Sequence, residues 1–214
     1  MDFNALMVPA AVWVTVTSII ILISDRWRWS ITGLALQYIG VFILVASSWS
    51  IELAATKLVA GWMTCAVLGI AISEALVGEG VSSGRPVQSW LSGRIFRLLT
   101  AGLVLLTVQS VAPKAVNWIP GIELAQLWGG LMLIGMGLMQ LGLTAQASRV
   151  VFGLLTTLSG FEILYATVES STLLAGLLAA VTLGIALSGA YLILVPSLEK
   201  MEEMEEIEEM EGVE

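Results

Sequence analysis

The sequence predicts an all-α protein that crosses a membrane with seven helices. Of its 214 residues, 57% are hydrophobic and only 12% are charged, and the mean hydropathy is +0.93. A soluble domain carries about twice that share of charged residues. A bilayer core requires about 20 consecutive apolar residues in a helix. Seven segments meet this requirement, with predicted bounds 5–23, 30–47, 52–73, 94–112, 124–143, 148–168 and 171–195.

The first segment resembles a retained helix, and the second and third segments each contain a polar residue. Segment 5–23 lacks the basic start and the small-residue cleavage site of a signal peptide, so we expect it to be retained. Gln37 lies near the middle of the second segment, and Lys57 lies in the third. A glutamine at that depth usually makes an interhelical hydrogen bond. The alternative is that Gln37 holds a water molecule in a proton path.

A loop rich in glycine and serine, residues 74–93, leads to the fourth segment, and the fifth segment is rich in glycine. Gln140 lies toward the inner end of the fifth segment, and the two roles proposed for Gln37 apply to it equally. The seventh segment carries small residues at a spacing of four, which predicts close packing against a helix of this chain or of another. These residues, the small-residue ladder, are Gly176, Ala180, Gly184 and Ser188.

The charged residues predict two domains and an orientation. Residues 1–198 form a transmembrane domain, and 199–214 form an acidic tail that holds nine of the seventeen acids. We expect the tail to be a solvated extension, with docking on a basic partner as the alternative. If the helices alternate sides, one face receives seven bases and the other receives Lys114 and at most Lys57. The seven are Arg26, Arg28, Arg85, Arg94, Arg97, Arg149 and Lys200. The positive-inside rule then places the N-terminus outside and the C-terminus in the cytoplasm, in a multi-pass protein of the cell's inner (cytoplasmic) membrane.

The composition also excludes several kinds of site. Cys65 is the only cysteine and the chain has no histidine, so an internal disulfide, a thiolate cluster and histidine-ligated haem or zinc are excluded. The sequence contains no nucleotide-binding loop, nucleophile elbow or cofactor fingerprint. We therefore expect no cofactor, no metal, no nucleic-acid partner and no catalytic centre of its own. Membership of an oxidoreductase complex stays open.

Glu162 is the residue that a purely apolar helix does not explain. It lies within the sixth segment, roughly 6 Å from the midplane by the helical rise, where a charge costs a few kcal/mol. Lys57 reaches a similar depth, roughly 8 Å from the midplane. We predict that the two side chains face each other, or share a water chain, and relay protons. The alternatives are that Lys57 snorkels to the headgroups and that Glu162 is a static polar tie to a neighbouring subunit.

Short motifs in the third and sixth segments resemble a known family. Arg149 precedes Gly160-Phe161-Glu162, much as a basic entry precedes a Gly-Leu-Glu motif in the K subunit of complex I. Residues 124–195 resemble that three-helix subunit. The whole chain is similar to component E of hydrogenase-4 and related membrane-bound hydrogenases. This similarity lies in its length, its seven helices, the run Thr56-Lys57-Leu58-Val59 and the pair Phe152-Gly153.

The resemblance implies a non-catalytic membrane subunit of an ion-translocating redox complex, placed between redox-module anchors and antiporter-like subunits. Glu162 is then the proton-path acid and Lys57 a weaker candidate. The second glutamate of the K subunit has no counterpart here, since residues 179–183 contain no acid. Counted from Phe152, Leu158 takes the position of the acid, and Glu162 follows one turn later on the same face.

Two other functions remain open from the sequence. One is a membrane scaffold or assembly subunit that moves no ions, whose small-residue seams and acidic tail recruit partners. The other is a small stand-alone transporter, for which paired broken helices or an internal repeat with polar midplane groups would be expected.

Overall fold

The computed structural model describes residues 3–78, 90–119 and 121–211, and it describes side chains for 6–76, 93–119 and 121–198. Seven helices lie in these residues, and all seven are long and apolar enough to cross a membrane. The predicted fold class and helix number are therefore confirmed to that extent. The helices are α1 (Phe3–Ile23), α2 (Trp27–Val45), α3 (Ile51–Gly78), α4 (Trp90–Ala115), α5 (Leu124–Leu143), α6 (Ala147–Tyr165) and α7 (Thr172–Glu211).

Several helix ends differ from the predicted bounds. α3 continues to Gly78 and α4 starts at Trp90, so both extend into the predicted loop 74–93, and residues 79–89 of that loop lie outside the described part. α6 ends at Tyr165, three residues early, and the Thr167 hydroxyl then donates to the Leu164 carbonyl. α7 runs without a break into the acidic tail as far as Glu211, because glutamate and methionine are good helix formers.

One end of the bundle is held by hydrogen bonds between neutral groups. The Trp49 indole donates to the Glu169 carbonyl at 2.8 Å, which joins the α2–α3 and α6–α7 connections. Gln126, in the first turn of α5, donates through Nε2 to the Leu44 carbonyl at 2.9 Å and to Ser47 Oγ at 2.6 Å. These bonds place the end of α2, the start of α5 and the α6–α7 connection at the same end.

The opposite end is held by ion pairs that we call the arginine cluster, consisting of Asp25, Arg94, Arg97 and Arg149. Asp25 Oδ1 accepts from Arg97 at 2.8 Å and from Arg149 at 2.7 Å, and Oδ2 accepts from Arg94 at 3.1 Å. Arg149 also donates to the Ser24 carbonyl at 3.0 Å. The α1–α2 connection therefore lies beside the starts of α4 and α6, as alternating helices require.

The charges of the arginine cluster change the acidity of Asp25. Partial burial by itself raises the pKa of this carboxyl, but hydrogen bonds from Arg97, Arg149 and Arg94 lower it. The net result is a pKa below the ordinary value of 3.8. Asp25 is therefore ionised throughout the neutral range.

Four glycines bring α5 and α6 into backbone contact. A Cβ on Gly160 would lie 2.6 Å from the Gly130 carbonyl oxygen, and one on Gly137 would lie 2.7 Å from the Gly153 carbonyl oxygen. The two glycines of each helix are seven residues apart and pair in reverse order, so the helices are antiparallel. We call this contact the glycine seam. It fixes the position and rotation of the helix that carries Glu162.

The small-residue ladder of α7 does not pack against the other helices in the described part of this chain. Gly176, Ala180, Gly184 and Ser188 are all exposed, and a Cβ on Gly176 or Gly184 would meet no atom of the described residues within 4 Å. α7 instead buries another face, which includes Ala175, Thr182, Ala186 and Ala190. Of the two neighbours predicted for the ladder, a helix of this chain is therefore wrong as far as the described residues go, and a helix of another chain stays a prediction.

Candidate functional site

A buried ion pair joins α3 to α6. Lys57 Nζ contacts Glu162 Oε2, and the two side chains are only 5% and 3% exposed. Lys57 Nζ also donates to the Thr182 hydroxyl of α7 at 2.9 Å. The structure thus brings the two predicted residues together, and the Lys57 side chain is buried inside the bundle. Their role in proton transfer stays a prediction.

The positions of the two residues along their helices set the depth of the pair. Lys57 lies in the second turn of α3 and Glu162 in the last turn of α6. Because α6 ends at Tyr165, Glu162 lies roughly 9 Å from the middle of its helix, further than the predicted 6 Å. Lys57 lies roughly 10 Å from the middle of its span. Glu162 therefore lies less than one turn from its helix end, and Lys57 between one and two turns from its helix start, at the neutral end of the bundle.

An aromatic ring covers the ammonium group. Lys57 Nζ lies 5.3 Å from the centroid of the Tyr38 ring, a distance at which a cation–π interaction stabilises the charge. Tyr38 reaches this position because Gly61, one turn after Lys57, has no side chain, and a Cβ there would overlap the ring. Gly61 therefore provides the space in which α2 closes the site.

The surroundings of the ring are apolar. Tyr38 belongs to a cluster of fully buried side chains that includes Leu68, Phe152 and Leu155. In such a low-dielectric environment each isolated ion would cost several kcal/mol, so the two charges are tolerated only as partners. The pair also has an alternative state. Transfer of one proton from Nζ to Oε2 converts two charged groups into two neutral ones, and this is the chemistry that a relay would use.

Further polar side chains are buried on the helices that form the site. Thr156 and Ser159 precede Glu162 at intervals of three, so all three share one face of α6. Ser159 lies beside the Tyr38 hydroxyl. Thr156 and Gln37 have side-chain polar atoms without a hydrogen-bond partner among the described residues. Buried groups of this kind bind internal water molecules in many proteins, so the region is chemically suited to hold water.

The two predicted glutamines have different relations to the pair. Gln37 is completely buried and precedes Tyr38, so it lies at the level of the site, although it makes no hydrogen bond to the pair. Gln140 is buried in α5. The register of the glycine seam puts it level with residue 150, roughly 18 Å along the helix from Glu162. Gln140 and the ion pair therefore do not form one site.

Sequence reasoning missed two members of the site. Thr182 is the polar residue in the stretch 179–183, where the sequence indicated only the lack of an acid. Tyr38 was visible as the neighbour of Gln37, but nothing in the sequence showed that its ring covers Lys57. The seven-residue spacing of the glycine seam was present in the sequence and is the signal that would have paired α5 with α6.

No family model, no curated protein and no solved structure matches this chain. The similarity to the K subunit of complex I and to component E of hydrogenase-4 therefore stays a prediction that rests on the motifs quoted above.

Proposed function

We propose that this protein is a non-catalytic membrane subunit of a complex-I-like or hydrogenase-like redox complex, and that it contributes part of an intramembrane proton path. The observation that carries the proposal is the buried contact between Lys57 and Glu162. Ionisable residues inside a membrane are costly, and in membrane proteins they mark proton or ion pathways more often than packing positions. We further propose that the C-terminus is cytoplasmic. The last helix, α7, runs toward the end of the bundle that holds the arginine cluster, and basic residues are more frequent on the cytoplasmic side of a membrane.

The composition of the pair also bears on the proposed family. The K subunit of complex I carries two intramembrane glutamates, whereas the site in this chain has one acid, Glu162, and one base, Lys57. Thr182, which lies in the stretch without an acid, accepts a hydrogen bond from Lys57. An acid–base pair held by a hydroxyl is thus the arrangement through which we propose that protons pass here, with Tyr38, Ser159 and Thr156 as neighbouring polar groups.

Isolation of the native complex tests membership. A tagged copy of the full chain is purified from native membranes in mild detergent, and the co-purifying proteins are identified by mass spectrometry. We expect large antiporter-like membrane subunits and a redox module. Recovery of the chain alone, in every detergent that preserves other membrane complexes, would contradict the proposal.

Substitution within that complex tests the path. Glu162→Gln removes the acid and keeps its shape, and we expect proton transport to fall by about 100-fold, as when a positioned proton-transfer group is lost. Electron transfer measured with an uncoupler should persist. Glu169→Gln is the matched control, because Glu169 is exposed in the α6–α7 connection, four residues after the end of α6. Full proton transport in Glu162→Gln would disprove the path role without affecting membership.

The second candidate function is a scaffold that moves no ions, and the outward-facing small-residue ladder favours it. Gly184 and Ser188 line an apolar groove of about 620 Å³ between α6 and α7. A Cβ at Gly184 would meet no atom of the described residues within 4 Å, so Gly184→Leu adds a bulky side chain at this groove. We expect the variant to fold but to lose a partner subunit if the ladder is an intersubunit contact. Loss of the partner from Gly184→Leu, together with full transport in Glu162→Gln, would favour the scaffold.

A further inference from the structure

Two arginines of the arginine cluster, Arg97 and Arg149, share Asp25 as their one carboxylate partner among the described residues. Arg97 and Arg149 donate to the same oxygen atom, Asp25 Oδ1, and lie close enough to repel each other electrostatically. Arg94 makes a further interaction besides its bond to Asp25, so its charge is not included in the balance of the other two arginines. These two and Asp25 together carry a formal charge of +1. A second anion beside them would relieve the repulsion.

The position of the cluster indicates where that anion comes from. Arg97 is the eighth residue of α4 and Arg149 is the third residue of α6. Both therefore lie within about 11 Å of the starts of their helices, near one edge of the apolar layer. The phosphate groups of a bilayer lie just outside that layer, within reach of an arginine side chain.

The surface next to the cluster is suited to acyl chains. α4 is among the least buried spans, with 22% of its apolar window inside the bundle. Around Arg97 it exposes Phe96, Leu98 and Leu99, with exposed fractions of 57%, 51% and 68%. A lipid whose headgroup contacts Arg97 would lay its chains along this face. A soluble phosphate would gain nothing from it.

We propose that the arginine cluster binds the phosphate headgroup of an anionic phospholipid. Arg97 and Arg149 supply planar guanidinium groups, which bind phosphate oxygens with two parallel hydrogen bonds. Basic pockets between transmembrane helices hold anionic lipids in this way. Asp25 keeps the two arginines side by side and, as an anion itself, limits the affinity for the lipid. The proposal is independent of the ion pair between Lys57 and Glu162.

The test uses the full-length chain, purified in mild detergent with equal amounts of phosphatidylglycerol and phosphatidylcholine. Native mass spectrometry counts the retained lipids. We expect selective retention of phosphatidylglycerol, reduced about five-fold by Arg97→Gln, the change expected for one basic residue near a membrane surface. Arg28→Gln is the matched control, because Arg28 lies near the same end and stacks on Trp27 outside the cluster. It should retain the lipid as the wild type does.

Two further variants keep the test decisive if Arg97→Gln folds poorly. Asp25→Asn removes the competing carboxylate, and we expect it to retain more phosphatidylglycerol. Arg97→Lys keeps the charge but loses the planar fork, and retention should be intermediate. Equal retention by wild type, Arg97→Gln and Arg28→Gln would overturn the proposal, as would lower retention in Asp25→Asn. Displacement of the lipid by an equal concentration of inorganic phosphate would overturn it in favour of a soluble anion.

Discussion

The ion pair of Lys57 and Glu162 and the arginine cluster around Asp25 use the same charged groups in two environments. The members of the pair are 5% and 3% exposed, whereas Asp25 is 34% exposed and shares three arginines. A buried pair depends on both members, because either ion alone would cost several kcal/mol. Partly exposed ion pairs contribute about 1 kcal/mol or less. The difference shows that burial, more than the number of ion pairs, decides how strongly each site responds to substitution.

Removal of one member of the pair should have the largest effect. Lys57→Met leaves the Glu162 carboxylate buried without a cation, and we expect it to lower the free energy of unfolding by about 3 kcal/mol. Denaturant titration of the purified protein in detergent measures this change. Lys57→Met combined with Glu162→Gln should recover most of the loss, since no charge then remains buried.

A base on the exposed surface of the bundle provides the control for that experiment. Lys114 is exposed near the end of α4, and Lys114→Met should change the free energy of unfolding by less than about 0.5 kcal/mol. If the Lys57→Met protein were as stable as the double variant, a buried Glu162 would be tolerated without Lys57. The expected difference between the buried pair and the arginine cluster would then be wrong.

Loss of the third member of the buried site should have an intermediate effect. Thr182→Val removes the hydroxyl that accepts from Lys57, and we expect a loss of about 1.5 kcal/mol because a charged donor then lacks one acceptor. Thr182→Ser keeps the hydroxyl and should cost less. Thermal unfolding of the two variants in parallel makes the comparison. Equal losses would contradict this expectation, because they would show that the hydroxyl of Thr182 contributes no more than its methyl group.

Asp25→Asn should cost about 1 kcal/mol, since the arginines that it leaves are partly exposed to water. The cost should shrink when the salt concentration is raised from 0.05 M to 0.5 M, because salt screens exposed charges and leaves buried ones largely unaffected. The cost of Lys57→Met should stay constant over the same range. The same unfolding titrations at two salt concentrations measure both effects, and equal salt dependence would contradict the assignment of the two environments.

The pH dependence of Asp25 should be the smallest effect. Its pKa lies below the ordinary value of 3.8, so its stabilising effect is fully present above that value and is lost as the pH falls through the lower folded pKa. The stability difference between wild type and Asp25→Asn should therefore be constant from about pH 7 to pH 5 and decrease below about pH 4. Unfolding measured across this range checks the sign, and a difference that grows in acid would refute it.

Counting along the chain was enough to place the charges at their approximate depths. Each apolar segment must cross the same thickness at a fixed rise per residue, so Glu162 and Lys57 could be assigned similar depths without knowing which helices touch. The error in that depth came from the end of α6, which lies three residues before the predicted one. A local hydrogen bond of Thr167 accompanies that end, and hydropathy does not record such bonds.

The sequence by itself determined that the chain folds into seven apolar helices and that one acid and one base lie at similar depth inside them. Only the tertiary structure decided that Thr182 and Tyr38 complete the site, that Gln140 lies apart from it and that the small-residue ladder faces outward. The physical reason is that a membrane helix is apolar on every side, so its composition does not reveal which face turns inward. The rotation of each helix about its own axis is set by contacts with other helices. Here the glycine seam sets it for α5 and α6, and the space above Gly61 sets it for α2 and α3.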